Sequence, residues 1–166
     1  MCGITGGIGP SAPQQLLLDA QLKSIEHRGP DDRGTYVNQS IALGMCRLAI
    51  VEIAAGKQPF ESADGKIKIV FNGEIYNYRE LREKLVSLGH VFSGASESEV
   101  IIALYRQHGP DFPNHLIGMF AIALFDQAND ALVLVRDRVG KKPLWFSKCA
   151  DGSILFASEV KALLAG

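Results

Sequence analysis

Ile67-Lys68-Ile69-Val70-Phe71-Asn72-Gly73 is a β-branched and apolar run that stops at an Asn-Gly pair. The run reads as a strand, and the pair that closes it is a strong short hairpin signal. Working outward, comparable runs occupy residues 4–8, 35–37, 41–43 and 48–53 on one side and 120–125, 132–135, 144–146 and 154–156 on the other, each bounded by turn residues. Many closely spaced strands joined by short turns predict antiparallel sheets. A helical pattern covers residues 13–26, with Pro13 near its start, Leu18, Leu22 and Ile25 on one face, and Gly29-Pro30 beyond its end. Asn77 with Glu80 predicts a capping box for a helix through Leu81, Leu85 and Leu88 that closes at Gly89. Ser96 with Glu99 predicts another, through Ile101, Ile102 and Tyr105 to Gly109, and a last apolar turn covers residues 160–164. The helices come in blocks between groups of strands, so the fold class is α+β and not a doubly wound sheet.

The 166 residues, 47% of them apolar, suffice for one core and so for one domain. Seventeen basic residues stand against 18 acidic ones. No global field then draws the chain to nucleic acid or to an anionic membrane, and a small molecule or another protein is the expected partner. The start of the chain lacks the pattern of a signal peptide and no apolar run is long enough to span a bilayer, so a cytoplasmic location is expected. Cys2, Cys46 and Cys149 are scattered singly, which suits neither a disulfide framework nor a metal knuckle. The chain stops after an apolar segment, as though more protein follows it.

Cys2 lies beside the terminus and becomes the first residue once Met1 is cleaved. A terminal cysteine is a nucleophile that carries its own base, because an α-amine of ordinary pKa, roughly 7.7–8.0, is partly neutral at cellular pH and accepts the thiol proton. The plain alternative is an inert buried thiol. Gly6-Gly7-Ile8-Gly9 is not a phosphate cradle, since it lacks the Lys-Ser/Thr ending of a P-loop and runs into Pro10.

Taken together, Met1-Cys2-Gly3-Ile4, His27-Arg28-Gly29-Pro30-Asp31-Asp32 and Asn72-Gly73-Glu74-Ile75-Tyr76-Asn77 resemble the class II glutamine amidotransferases, and most of all the N-terminal domain of glutamine-hydrolysing asparagine synthetases. Arg47-Leu48-Ala49-Ile50-Val51, Gly118-Met119-Phe120-Ala121, Arg136-Asp137-Arg138, Lys142-Pro143-Leu144 and Phe156-Ala157-Ser158-Glu159-Val160-Lys161 continue the likeness along residues 1–166. The resemblance implies an N-terminal-nucleophile hydrolase fold, a four-layer αββα sandwich of two antiparallel sheets flanked by helices. It implies hydrolysis of glutamine to supply ammonia, with no cofactor in this domain. In the family a synthetase domain follows, and it is there that ATP and magnesium are expected; that domain is absent from this chain. Glutamine, a synthetase domain or subunit that receives the ammonia, and a possible homodimer are the partners implied. The competing readings are the glutaminase domain of another amidotransferase and a catalytically silent interaction domain.

Roles follow from the resemblance residue by residue. Cys2 attacks the glutamine carboxamide and forms a γ-glutamyl thioester. The side-chain amide of Asn72 and the backbone N–H of Gly73 form the oxyanion hole, although Asn72-Gly73 on its own reads as a hairpin turn. Arg47 grips the substrate carboxylate, Ile50 and Val51 offer backbone contacts, and Glu97 or Glu74 takes the substrate ammonium. Glu97 stands where the family has an aspartate, and its alternative role is a favourable charge in the first turn of a helix. Met45-Cys46 departs from the basic residues that the family places before the arginine. His27, His90, His108 and His115 show no metal spacing and receive no chemistry, and no metal is expected. Arg28, Asp31 and Asp32 read as structural charge pairing, and Arg136, Asp137, Arg138, Lys141 and Lys142 as a solvated loop.

Overall fold

The alternation of inward and outward side chains along the strands explains how the molecule is layered. In the computed structural model, which describes residues 1–10, 14–48 and 58–165, the strands β1 (Gly3–Ile8), β2 (Asp32–Val37), β3 (Ile41–Arg47), β8 (Trp145–Lys148) and β9 (Ile154–Ala157) form one sheet in the order β2-β3-β1-β9-β8. The strands β4 (Phe60–Glu61), β5 (Ile67–Ile75), β6 (Gly118–Asp126) and β7 (Ala131–Arg136) form the other, in sequence order. Every strand pair is antiparallel. The helices are α1 (Gln15–Ser24), α2 (Tyr78–Ser87), α3 (Glu97–His108) and α4 (Val160–Leu163).

Three apolar clusters fill the three interfaces of a four-layer stack. Leu18, Leu22 and Ile25 from α1 and the turn after it meet Ala42, Cys46, Ala157 and Ala162, so α1 and α4 cover the outer face of the five-stranded sheet. Ile4, Ile41, Leu43, Met45 and Phe156 meet Val70, Ala121, Ala123 and Phe125 between the sheets. Ile69, Phe71, Ile75, Phe120, Ile122 and Leu124 meet α2 and α3 through Leu81, Leu85, Val100, Ile101 and Leu104. β6 is apolar without alternation because both its faces are buried, one in each of the last two clusters.

The structure departs from the sequence reading in several places. Asn72-Gly73 makes no hairpin: β5 continues to Ile75, with Asn72 opposite Ala121 and Gly73 opposite Phe120. Long-range pairing along β6 overrides the local turn preference. The Asn77 cap is not made, because its side chain instead donates to His115 O and accepts from Ile117 N, both at 3.0 Å. The Ser96 cap is made, its hydroxyl accepting from Glu99 N at 3.3 Å. The first helix ends at Ser24, followed by a 3-10 turn over Glu26–Arg28. Pro13 and the strand expected over residues 49–53 fall outside the described residues, and Leu48 is not in a strand. Asp137 and Lys142 are buried and not solvated, since the Asp137 carboxylate collects backbone N–H groups of its own loop.

Candidate active site

β1 carries the candidate nucleophile to one end of the space between the sheets. Gly3 pairs with Cys46, so one further step of register sets Cys2 opposite Arg47. Cys2 packs against the inter-sheet cluster beside Ile4, and its thiol faces Leu48 O at 3.9 Å. Side chains of Ile41, Leu43 and Met45 point into the inter-sheet cluster, and by the same alternation Arg47 leaves β3 on that face. Cys46 points the opposite way, into the α1 cluster, where burial pushes its thiol pKa up. The Met45-Cys46 departure therefore lies partly behind the sheet: only Met45 faces the Cys2 side.

Arg28 takes the structural pairing role read from the sequence, with a partner and a contact to Cys2 that the sequence did not name. It is 9% exposed, its Nε donates to the carbonyl of Cys2 at 3.0 Å, and its Nη1 donates to Glu159 Oε1 at 3.0 Å. A side chain at Gly3 would sit 3.1 Å from Arg28 Cδ, so the glycine makes room for this clamp. Glu159 also meets His27 Nε2 at 3.0 Å and Lys161 Nζ at 3.2 Å. Burial raises the Glu159 pKa, but hydrogen bonds from Arg28, Lys161 and His27 outweigh it and hold the carboxyl at about 2. A carboxyl depressed from 4.5 stabilises the fold above its unfolded value and loses that contribution as pH falls through the folded one. Glu159→Gln should therefore flatten the loss of stability between about pH 4.5 and 2 in an acid titration followed by circular dichroism. A variant with the parental acid profile would remove Glu159 from this linkage.

The second half of the site is the outer edge of β5. Phe120, opposite Gly73, donates its N–H to Asp137 Oδ2 at 3.2 Å and accepts from Asp137 N at 2.9 Å. Both its main-chain groups thus face β7, so Gly73–Phe120 is a non-hydrogen-bonded pair and Gly73 turns its N–H to the other edge. Along that edge β4 covers Ile69, the Gln58 side-chain amide takes both Phe71 N (2.6 Å) and Phe71 O (3.1 Å), and Glu97 Oε1 accepts from Ile75 N at 3.0 Å. Among the described residues, Gly73 lies in the gap between them. No other residue fits there: its φ is +155°, and an added Cβ would stand 2.0 Å from Met119 O.

Asn72 points to the opposite face from Phe71 and Ile75, the face that Val70 buries between the sheets. It is 2% exposed, and its Nδ2 has no hydrogen-bond partner among the described residues. An orphaned buried donor costs about 1–3 kcal/mol, so its retention is informative. Glu74 follows on the same face of the strand and is exposed. Glu97 opens α3, and its pKa is raised, first by burial and then by neighbouring Glu74, against the Ile75 hydrogen bond. The structure thus places Cys2 and Arg47 on one sheet and Asn72, Gly73 and Glu74 on the other, with Glu97 at the start of α3 bonded to that second sheet and β1 and β3 packed on β5. Ile50 and Val51 lie outside the described residues. Two cavities, about 370 and 540 Å³, lie elsewhere, one beside α1 and one between β4 and α3. Among the described residues no cluster of three or more His, Cys, Asp or Glu is placed to hold a metal, and no helix is long and apolar enough to cross a membrane.

The architecture defines a class. The chain superposes over 99% of its length on a glutamine phosphoribosylpyrophosphate amidotransferase from B. subtilis complexed with ADP and GMP, with a TM-score of 0.75 and 22% identity, covering 43% of that chain. The structure of an allosteric regulatory enzyme of purine biosynthesis gives 0.78 at the same identity and coverage. At this identity the likeness is one of fold, an α+β sandwich of two antiparallel sheets flanked by helices. The sequence goes further: residues 1–166 match the glutamine amidotransferase domain family, and the chain belongs to it. It is 39% identical over 99% of its length to asparagine synthetase [glutamine-hydrolyzing] 2 of Bacillus subtilis, and 43% identical over 98% to a probable asparagine synthetase [glutamine-hydrolyzing] of Schizosaccharomyces pombe. It spans 22% and 30% of those relatives, about a quarter of their length.

Proposed function

We propose that this domain hydrolyses the side-chain amide of glutamine to glutamate and ammonia through a thioester on Cys2, and that the ammonia passes to an ATP-dependent amidation of the asparagine-synthetase type. The observation that carries the reading is the pair of donors at Asn72 and Gly73. A buried amide with no partner among the described residues and a backbone N–H in a gap between described partners stand side by side, next to a layer whose other wall carries Cys2.

With Met1 removed, the freed α-amine takes the thiol proton and the sulfur attacks the carboxamide carbon. The oxygen gains negative charge and accepts from Asn72 Nδ2 and Gly73 N–H. Collapse of this intermediate breaks the C–N bond, the ammonium at the terminus returns its proton to the leaving nitrogen, and ammonia departs. Water then cleaves the thioester to glutamate and the free thiol. Arg47 pairs with the substrate carboxylate. Glu97 pairs with the substrate ammonium through the oxygen not committed to Ile75, and Glu74 adds negative charge beside it. No cofactor enters this half-reaction; ATP and magnesium serve the acceptor domain or subunit.

Ammonia release from glutamine, compared with asparagine, by the chain with a processed N-terminus tests the reading. Glu97→Gln should raise KM for glutamine about 10-fold or more with little change in kcat, since a charge-assisted hydrogen bond is worth ~1.5–3 kcal/mol. Because the Glu97 pKa is raised, the parental KM should climb with acidification at a pH above the ordinary glutamate range. An unchanged KM in Glu97→Gln would leave the residue only its place at the start of α3.

A further inference from the structure

We infer that Asp137 is a positioning residue that sets the Gly73 donor of the oxyanion hole by fixing the backbone of Phe120, an inference that rests on the glutaminase reading above. β7 pairs with β6 only as far as Arg136 opposite Ala121. At the next position Phe120 would ordinarily donate to a β7 carbonyl. The chain turns away there, and the Asp137 carboxylate takes the place of that carbonyl, while Asp137 N still donates to Phe120 O.

The same carboxylate closes the loop on itself. Oδ1 accepts from Lys141 N at 2.8 Å and Oδ2 from Lys142 N at 3.0 Å as well as from Phe120 N. Asp137 is 5% exposed; burial works against its charge, but these backbone donors prevail and lower its pKa. An ionised acceptor held this way is a stiff post, since charge-assisted hydrogen bonds are about twice as strong as neutral ones.

Stiffness at Phe120 reaches Gly73 because the two backbones touch. The absent Cβ of Gly73 would lie 2.7 Å from Phe120 Cα. It is also because both main-chain groups of Phe120 are turned to Asp137 that Gly73 N–H points to the outer edge of β5. Releasing Phe120 frees its N–H to swing, and the Gly73 donor loses its aim by fractions of an ångström. Such a loss is felt when the oxyanion forms and not when substrate binds.

The test compares the parent with Asp137→Asn, in which a donor amide replaces one acceptor oxygen, and with Arg138→Ala, an exposed neighbour in the same loop. For Asp137→Asn, kcat should fall about 10- to 100-fold with KM within about threefold, and iodoacetamide should alkylate Cys2 at the parental rate. The amide NMR signals of Phe120 and Gly73 should both move, and Arg138→Ala should leave kcat and both signals in place. Should Asp137→Asn not fold, Asp137→Ser, which keeps one short acceptor, carries the same expectations. A folded variant with kcat within threefold of the parent, or with raised KM and unchanged kcat, overturns the inference. A parent chain with processed N-terminus that releases no ammonia from glutamine overturns the glutaminase reading itself, and this inference with it.

Discussion

Cys2→Ala should abolish ammonia release from glutamine, lowering the rate by about 10⁴-fold or more, because no other group on either wall of the site can form the thioester. The fold should survive. Cys2 precedes β1, is only half buried, and anchors its neighbours through its backbone carbonyl, which alanine keeps for Arg28. The stability change should stay within about 1 kcal/mol. Blocking removal of Met1 should be nearly as damaging with the thiol intact, since the amine that takes the thiol proton is then locked in a peptide bond. Steady-state assays on both forms, with mass spectrometry of the N-terminus, check this. A rate within a few-fold of the parent in either would take Cys2 out of the mechanism.

Asn72→Ala should lower kcat about 10²- to 10³-fold while KM moves little, the mark of a donor used only when the oxyanion develops. Stability should respond in the unusual direction. Truncating a buried side chain normally leaves a cavity and costs stability, but here it also removes a donor that, with no partner among the described residues, costs about 1–3 kcal/mol. The two effects offset, and the melting temperature should hold or rise. A drop beyond about 5 °C would mean that the Asn72 amide is bonded in the resting fold, and the oxyanion reading would lose its support.

The strands were legible wherever burial imposes a pattern. The unbroken apolar run of β6 and the small and branched residues of β1 mark strands covered on both faces, and both are found within a residue or two of the reading. What stayed hidden depends on partners far away in the chain. Arg28 reads as structural charge pairing, but its partner, Glu159, lies 131 positions later and could not be named from the local sequence. Asp137 reads as part of a hydrophilic loop because nothing local announces that Phe120 needs an acceptor. The Asn72-Gly73 signal is local and real, yet β6 lies close enough to hold it straight. Asn77 satisfies two backbone groups near the start of β6 in place of its own helix. β4, two residues long, has too little sequence to show a period. The candidate site residues come as a set from the likeness of the motifs, but the placing of the Asn72 amide, without a partner among the described residues, beside the gap at Gly73 required coordinates.

That gap has a consequence for solubility. A sheet edge with a row of free main-chain groups invites another chain to add a strand, which is how many proteins aggregate. Among the described residues, the edge of β5 offers no such row. Gln58 imitates a neighbouring strand at Phe71, Glu97 puts a charge on Ile75, and the notch between them is one residue wide. A foreign strand needs several consecutive rungs to zip on, and here it finds one. Among the described residues, the β5 edge thus leaves the Gly73 N–H in a notch too short to serve as a template for self-association.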